Sequence, residues 1–91
     1  MTALMWAAKG EKAAAIPLLL HAGAAINATD SQGMTALMHA AQAGSIDSVS
    51  RLINANAAVN TKNSDGKTAM RLADEGDHNA IAALLRSAGG H

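Results

Sequence analysis

Apolar residues recur along the chain at intervals of three and four positions, in short runs that polar segments separate. These intervals are typical of helices that bury one face, as with Ile16, Leu19 and Leu20. The pattern predicts three pairs of helices, and we call the two members of each pair the first helix and the second helix. The first helices are predicted at residues 3–9, 36–42 and 69–75, and the second helices at residues 13–21, 46–54 and 79–87.

The whole pattern returns every 33 residues: residues 2–8 read TALMWAA and residues 35–41 read TALMHAA. A period in this range indicates a stack of repeated units, because a short helix pair can bury its apolar face only against a neighbour. A threonine precedes each first helix, where its hydroxyl can cap the free backbone N–H groups of the first turn. The series that keep the period include Thr2, Thr35 and Thr68, Leu4, Leu37 and Met70, and Leu19, Leu52 and Leu85.

Each unit also carries signals that end its helices. Gly23, Asn56 and Gly89 follow the second helices, and glycine and asparagine best tolerate the left-handed backbone that closes a helix. Polar segments follow at residues 29–33 (TDSQG) and 62–66 (KNSDG). Their early Asp or Asn and final Gly predict tight turns at the tips of hairpins between the units.

Pro17 conflicts with a second helix that spans residues 13–21, since an interior proline costs a helix about 3 kcal/mol. A helix that begins near Ala14 would place Pro17 in the tolerated first turn. The sequence predicts either this late start or a kink.

The 33-residue period, the TALMxAA motif, LLLHAGAAINA at 18–28 and the DSQG turn resemble the ankyrin repeat. The resemblance implies an all-α ankyrin-repeat solenoid, in which helix-turn-helix units are joined by β-hairpin-like loops. It further implies a single domain over residues 1–91, with repeat 1 at 1–33, repeat 2 at 34–66 and a truncated repeat 3 at 67–91.

The chain departs from the family pattern in places. Methionine or arginine (Met5, Met38, Arg71) stands where the family has a histidine that bonds between loops, which predicts weaker polar bonding between the units. The glycine between the two helices of a unit is Gly44 in the second unit, but it falls one residue early, at Gly76, in the third. We therefore expect the helix-to-helix loops to differ in detail.

Composition excludes several classes of function. The chain has seven basic and seven acidic residues, one aromatic residue and no cysteine. The absence of a basic stripe and of a row of aromatics argues against nucleic acid as a partner. No run approaches the ~20 apolar residues of a membrane span. Without a convincing targeting segment, the expected location is the cytoplasm.

Candidate catalytic and metal-binding residues do not form a recognisable set. The four histidines are His21, His39, His78 and His91, and none pairs with another at metal-ligand spacing. His39 shares its repeat position with Trp6 and is expected to be a partly buried wall residue. We therefore predict no enzyme activity, no metal and no cofactor.

The resemblance implies that a partner protein docks on the hairpin tips and on the inner face of the first helices. Trp6 is the natural anchor, although an end-capping tryptophan is the alternative. Met34 could add an adaptable apolar surface or could simply fill space. The candidate partner-binding residues are Trp6, Lys9, Ser31, Gln32, Met34, His39, Gln42, Ser64, Asp65, Lys67, Arg71 and Glu75.

The predicted function is non-catalytic protein–protein recognition on a preformed concave face. One alternative is a structural or assembly role, in which uncapped terminal repeats stack on other chains as a homo-oligomer. The other is a small inhibitor or immunity-type protein for a partner enzyme.

Overall fold

The computed structural model describes residues 2–10 and 12–90, and these residues form six helices and no strands. The helices are α1 (Ala3–Lys9), α2 (Ala15–His21), α3 (Ala36–Ala43), α4 (Ile46–Asn54), α5 (Ala69–Glu75) and α6 (Asn79–Ser87). Four helices have the predicted ends, α3 is one residue longer, and α2 begins two residues late. The all-α class predicted from the sequence is confirmed.

The helices pack in two layers. The first helices α1, α3 and α5 contact one another in order, and α2, α4 and α6 form the second layer in the same order. The core lies between the layers and between successive units, and it consists of alanine, leucine, methionine, isoleucine and valine side chains. Its largest fully buried apolar members are Leu4, Met5, Ile16, Leu37, Met38, Val49, Leu52 and Leu85.

The three threonines cap the first helices as predicted. Their hydroxyl oxygens accept hydrogen bonds from the backbone N–H groups of Met5 (3.2 Å), Met38 (3.3 Å) and Arg71 (3.3 Å). Because each cap satisfies a donor that the first turn would otherwise leave open, all three helices begin at the residue after the threonine.

The second helices end in the predicted left-handed conformation, with φ of 98° at Gly23, 67° at Asn56 and 96° at Gly89. The loops inside the units differ, as expected. Gly44 has a φ of 78°, whereas Gly76 is right-handed and the left-handed residue is Asp77, with a φ of 58°. Asp77 lies 33 residues after Gly44, so the period preserves the backbone conformation more strictly than the residue type.

Pro17 is accommodated by the late start of α2. The helix begins at Ala15, which makes Pro17 its third residue. The N–H groups of the first turn have no partner within a helix, so the missing donor of proline costs nothing there. The prediction of a late start is confirmed.

Within residues 2–10 and 12–90, no helix is long and apolar enough to cross a membrane.

Candidate functional site

Two hairpin-like loops project between the units, and both are built the same way. The backbone N–H of Asp30 donates to the carbonyl of Met34 (3.0 Å), and that of Asn63 donates to the carbonyl of Lys67 (3.0 Å). Asp30 also accepts hydrogen bonds from the backbone N–H groups of Gln32 (2.9 Å) and Met34 (3.0 Å). Asn63 Oδ1 accepts the equivalent pair from Asp65 (2.9 Å) and Lys67 (3.0 Å). An aspartate and an asparagine thus fold the two tips identically.

The two tips are tied to each other. The backbone N–H of Ser64 and its hydroxyl both donate to the carbonyl oxygen of Gln32, at 2.9 Å and 2.8 Å. A Cβ added at Gly33 would lie 3.2 Å from Ser64 N, so the close approach of the loops requires a residue without a side chain there. The hairpins therefore form a continuous ridge.

His39 joins the first hairpin to α3. Its Nε2 lies 3.0 Å from Asp30 Oδ2, and the residue is 7% exposed. Polar bonding is therefore present between the first hairpin and the second unit.

The Asp30 carboxylate is held in its charged form. The backbone N–H of Met34 contributes most to lowering the pKa of Asp30 below its ordinary value. Burial opposes this shift, while the backbone N–H of Gln32 and the imidazole of His39 add to it. Several donors around one carboxylate stabilise the anion, so ionisation of Asp30 strengthens the contacts of the first hairpin.

A concave groove runs between the hairpin ridge and helices α3 and α5. It has a volume of about 250 Å³, and seven of the predicted binding residues line it. Its lining residues are Gln32, Met34, Gln42, Asn63, Ser64, Asp65, Lys67, Leu72 and Glu75. We call this surface the concave groove.

A family model described as ankyrin repeats, in three copies, matches residues 1–91. The chain belongs to the ankyrin-repeat family. Ankyrin repeats mediate protein–protein interaction, so the predicted class of function, protein binding, holds for this chain. The family is generally non-catalytic.

The ankyrin stack also matches a solved complex. The complex contains the predatory endopeptidase Bd0816 from Bdellovibrio bacteriovorus and the immunity protein Bd3460. One of its chains matches with a TM-score of 0.91 and 34% sequence identity. The match covers 100% of this chain and 48% of that chain, so the present sequence spans about half the length of its neighbour. A comparison with curated proteins found no match.

Ion pairs lie on one rim of the concave groove. Lys67 Nζ lies 3.0 Å from Glu75 Oε2, and Arg71 Nε lies 3.8 Å from the same oxygen. The side chains of Lys67 and Glu75 are 34% and 42% exposed, so solvent screens the pair and it contributes little to stability. The charges are accessible to a partner that could replace one of them.

Two predicted binding residues are not presented to solvent. Met34 is 4% exposed and packs in the core, where its sulfur accepts a hydrogen bond from Asn63 Nδ2 at 3.2 Å. His39 is buried more completely than the partly buried wall residue that the sequence predicted. The burial of Met34 favours the space-filling alternative, although this side chain also lines the concave groove.

Four other candidates lie outside the concave groove. Trp6 is 62% exposed on α1, and Lys9 Nζ lies 5.8 Å from its ring centroid, so Trp6 does not face the core and its role as a partner anchor stays a prediction. Arg71 lines a different groove of about 610 Å³ at the other end of the stack, together with Lys62 and Asp74. The remaining candidate, Ser31, is exposed at the first hairpin tip.

Sequence reasoning missed two lining residues, Asn63 and Leu72. The 33-residue period could have identified both residues. Asn63 is the repeat equivalent of Asp30, and Leu72 is the repeat equivalent of Trp6 and His39. Among the described residues, no group of three or more His, Asp or Glu side chains is placed to hold a metal ion. The groove offers amides, hydroxyls and ion pairs, which suit hydrogen bonding to another polypeptide.

Proposed function

We propose that this ankyrin-repeat chain binds its partner protein in the concave groove, with the exposed hairpin tips as the first contacts. The observation that supports this most directly is the preformed ridge, in which Ser64 of one tip bonds twice to Gln32 of the other. A surface that is already ordered loses little conformational entropy when a partner binds. The chain acts by binding and carries out no catalysis in this proposal.

Site-specific photo-crosslinking tests the proposal in the cells that produce the protein. A photoreactive amino acid at Gln42 or Ser64 faces the concave groove, whereas one at the exposed Asn54 lies on α4 in the second layer. We expect one adduct of defined mass from Gln42 and Ser64 and none from Asn54. An adduct that forms only from Asn54 would move the binding surface to the second layer.

A second candidate is that the partner is an enzyme that the chain holds inactive. The match to a complex of an endopeptidase with an immunity protein, at 34% identity over the whole of this chain, favours this candidate. The present sequence covers 48% of the matched chain, so that complex suggests only the class of partner, an enzyme, and not its identity. A cytoplasmic location also stays a prediction.

Titration of a crosslinked and identified partner tests the inhibitor candidate. If the partner is an enzyme, its activity should fall in proportion to added chain and reach a minimum at a fixed stoichiometry. A Gln42→Arg variant, which adds bulk and charge to the groove, should shift that titration to higher concentration. Full enzyme activity in a saturated complex would leave the binding proposal intact and reject inhibition.

A further inference from the structure

Both walls of the concave groove belong to the chain itself, and most of its polar side chains are already bonded there. The side-chain oxygen of Asn63 accepts hydrogen bonds from two backbone N–H groups of its own hairpin. The Ser64 hydroxyl donates to the carbonyl oxygen of Gln32. Lys67 Nζ lies 3.0 Å from each carboxylate oxygen of Glu75. These side chains are engaged in holding the shape of the groove.

Three other lining side chains have polar atoms that are open to a partner. Within residues 2–10 and 12–90, the side-chain amides of Gln32 and Gln42 and the carboxylate of Asp65 make no hydrogen bond or ion pair. All three side chains are exposed. Gln32 lies on the hairpin ridge and Gln42 lies on α3, so the two amides border the groove on opposite walls. The groove therefore offers hydrogen-bond donors and acceptors on both of its sides.

The floor of the concave groove offers almost no apolar surface. Its two apolar lining residues, Met34 and Leu72, are 4% and 6% exposed. A helix that docks in a groove does so with its apolar side chains, because its backbone N–H and C=O groups are bonded within the helix. Such a helix would find no apolar floor here. An extended segment differs, since its backbone donors and acceptors are open and need partners wherever they leave water.

We propose that the concave groove binds an extended segment of the partner protein and holds it by its main chain, through the amides of Gln32 and Gln42. This step rests on the proposed function, in which the partner occupies this groove. A side-chain amide carries an acceptor oxygen and two N–H donors, so it can pair with both the N–H and the C=O of a peptide backbone. Successive residues of an extended segment turn these groups to opposite edges, which matches amides on opposite walls.

The charges of the groove determine which segments it should accept. Lys67 and Glu75 neutralise each other, and Arg71 lies 3.8 Å from the same carboxylate, so binding does not require a charged segment. The Asp65 carboxylate can accept a main-chain N–H, and it repels acidic side chains that come close. The accepted segments should therefore vary in sequence and contain few acidic residues. Their affinity should change by less than about threefold when the salt concentration rises from about 0.1 to 1 M.

A display library of random linear peptides, each about ten residues long, tests main-chain recognition with the full chain immobilised. Peptides that bind a Gln42→Met chain equally well are discarded, because they bind elsewhere. Methionine has a helix propensity close to that of glutamine and lacks the amide, so this variant of an exposed α3 residue should fold normally. Asn54→Met is the matched control, because Asn54 is exposed on α4 in the second layer. The selected peptides should bind this control as they bind the wild-type chain.

Synthetic versions of the selected peptides separate main-chain recognition from side-chain recognition. N-methylation of one backbone nitrogen at a time removes a single donor, and at one or two positions of each peptide it should weaken binding about tenfold. Alanine at any single position should weaken binding by less than about threefold. One of the losses caused by N-methylation should disappear on the Gln42→Met chain, because the amide that pairs with that nitrogen is already absent.

These losses from N-methylation, together with the small effects of alanine, would support main-chain recognition. It is overturned if no selected peptide depends on Gln42, if alanine substitutions weaken binding more than N-methylation does, or if high salt abolishes binding. A photo-crosslink from Gln42 in cells without any Gln42-dependent peptide would reject main-chain recognition and leave binding in the groove intact. The absence of an adduct from both Gln42 and Ser64 would reject the proposed function and main-chain recognition with it.

Discussion

The ring of His78 lies between two glycines, and this arrangement predicts how three glycine substitutions should differ. A Cβ added at Gly44 would lie 2.6 Å from His78 Cε1, and one at Gly76 would lie 2.8 Å from His78 Nε2. Gly44 has a φ of 78°, whereas Gly76 has a φ of −92°. Gly66 has a φ of 75° with no atom within 4 Å of an added Cβ. The three positions thus separate backbone strain from steric overlap.

The expected magnitudes follow from these two contributions. Gly66→Ala forces alanine into the left-handed region and should destabilise the fold by about 1–2 kcal/mol. Gly76→Ala overlaps the His78 ring without backbone strain and should cost about 1–3 kcal/mol. Gly44→Ala combines both effects, and we expect about 2–5 kcal/mol. A domain of this size has only about 5–15 kcal/mol of stability, so the last variant should be visibly weakened.

Urea unfolding followed by circular dichroism at the helix band gives the free energy of unfolding for each variant. The same substitutions made together with His78→Ala provide the internal control. In that background, Gly44→Ala should cost no more than Gly66→Ala, because only the backbone strain is left. Gly76→Ala should then become nearly neutral or stabilising, since alanine restricts the unfolded chain more than glycine does.

Equal costs for Gly44→Ala and Gly66→Ala with His78 present would refute this reasoning. That result would mean that the imidazole moves aside at no cost, and that it does not pack between the units. A cost of Gly76→Ala that persists after His78→Ala would refute it equally, because the overlap with the ring would then not be the cause.

Four further predictions concern other parts of the fold. The pKa of Asp30 is lower in the folded chain than in the unfolded chain, so the wild-type free energy of unfolding should fall as the pH drops from the unfolded pKa towards the folded one. Asp30→Asn should reduce this loss of stability at acidic pH, as urea unfolding at several pH values will measure. Thr35→Ala removes a buried cap and should cost about 1–2 kcal/mol, against about 0.5 kcal/mol for Thr2→Ala, where the cap is only partly buried, as chemical unfolding will measure. Pro17→Ala should change stability by less than about 0.5 kcal/mol in the same assay, because the first turn needs no donor there. If the chain is one domain, Trp6 fluorescence and circular dichroism should give the same urea midpoint.

The helix boundaries were predictable where a cap or a left-handed closing residue marks them. Thr2, Thr35 and Thr68 gave the start of each first helix to the residue, because a capping hydroxyl has one geometric role. The start of α2 was harder, since the run Ala13–Ala15 has helical propensity without a cap. Only the constraint from Pro17 indicated the late start.

The sequence predicted which residues occupy equivalent positions in the candidate site, but it did not predict how exposed each side chain is. The period places equivalent residues in rows, and seven of the candidates do line the concave groove. Exposure depends on whether a neighbouring unit covers a given position, which the sequence of one unit cannot show. Trp6 and His39 occupy equivalent positions, yet one is 62% exposed and the other 7%. For the same reason Met34 looked like a tip residue although it lies in the core.

The hairpin tips separate the residues that hold the fold from the residues that can recognise a partner. Backbone atoms and the side chains of Asp30 and Asn63 form the turns, and Gly33 allows the close approach of the two loops. The exposed side chains of Ser31, Gln32 and Asp65 are carried by turns that do not depend on them. Substitutions at these three positions can therefore change the chemistry offered to a partner at little cost in stability. The same surface can serve different partners while the stack beneath it stays constant.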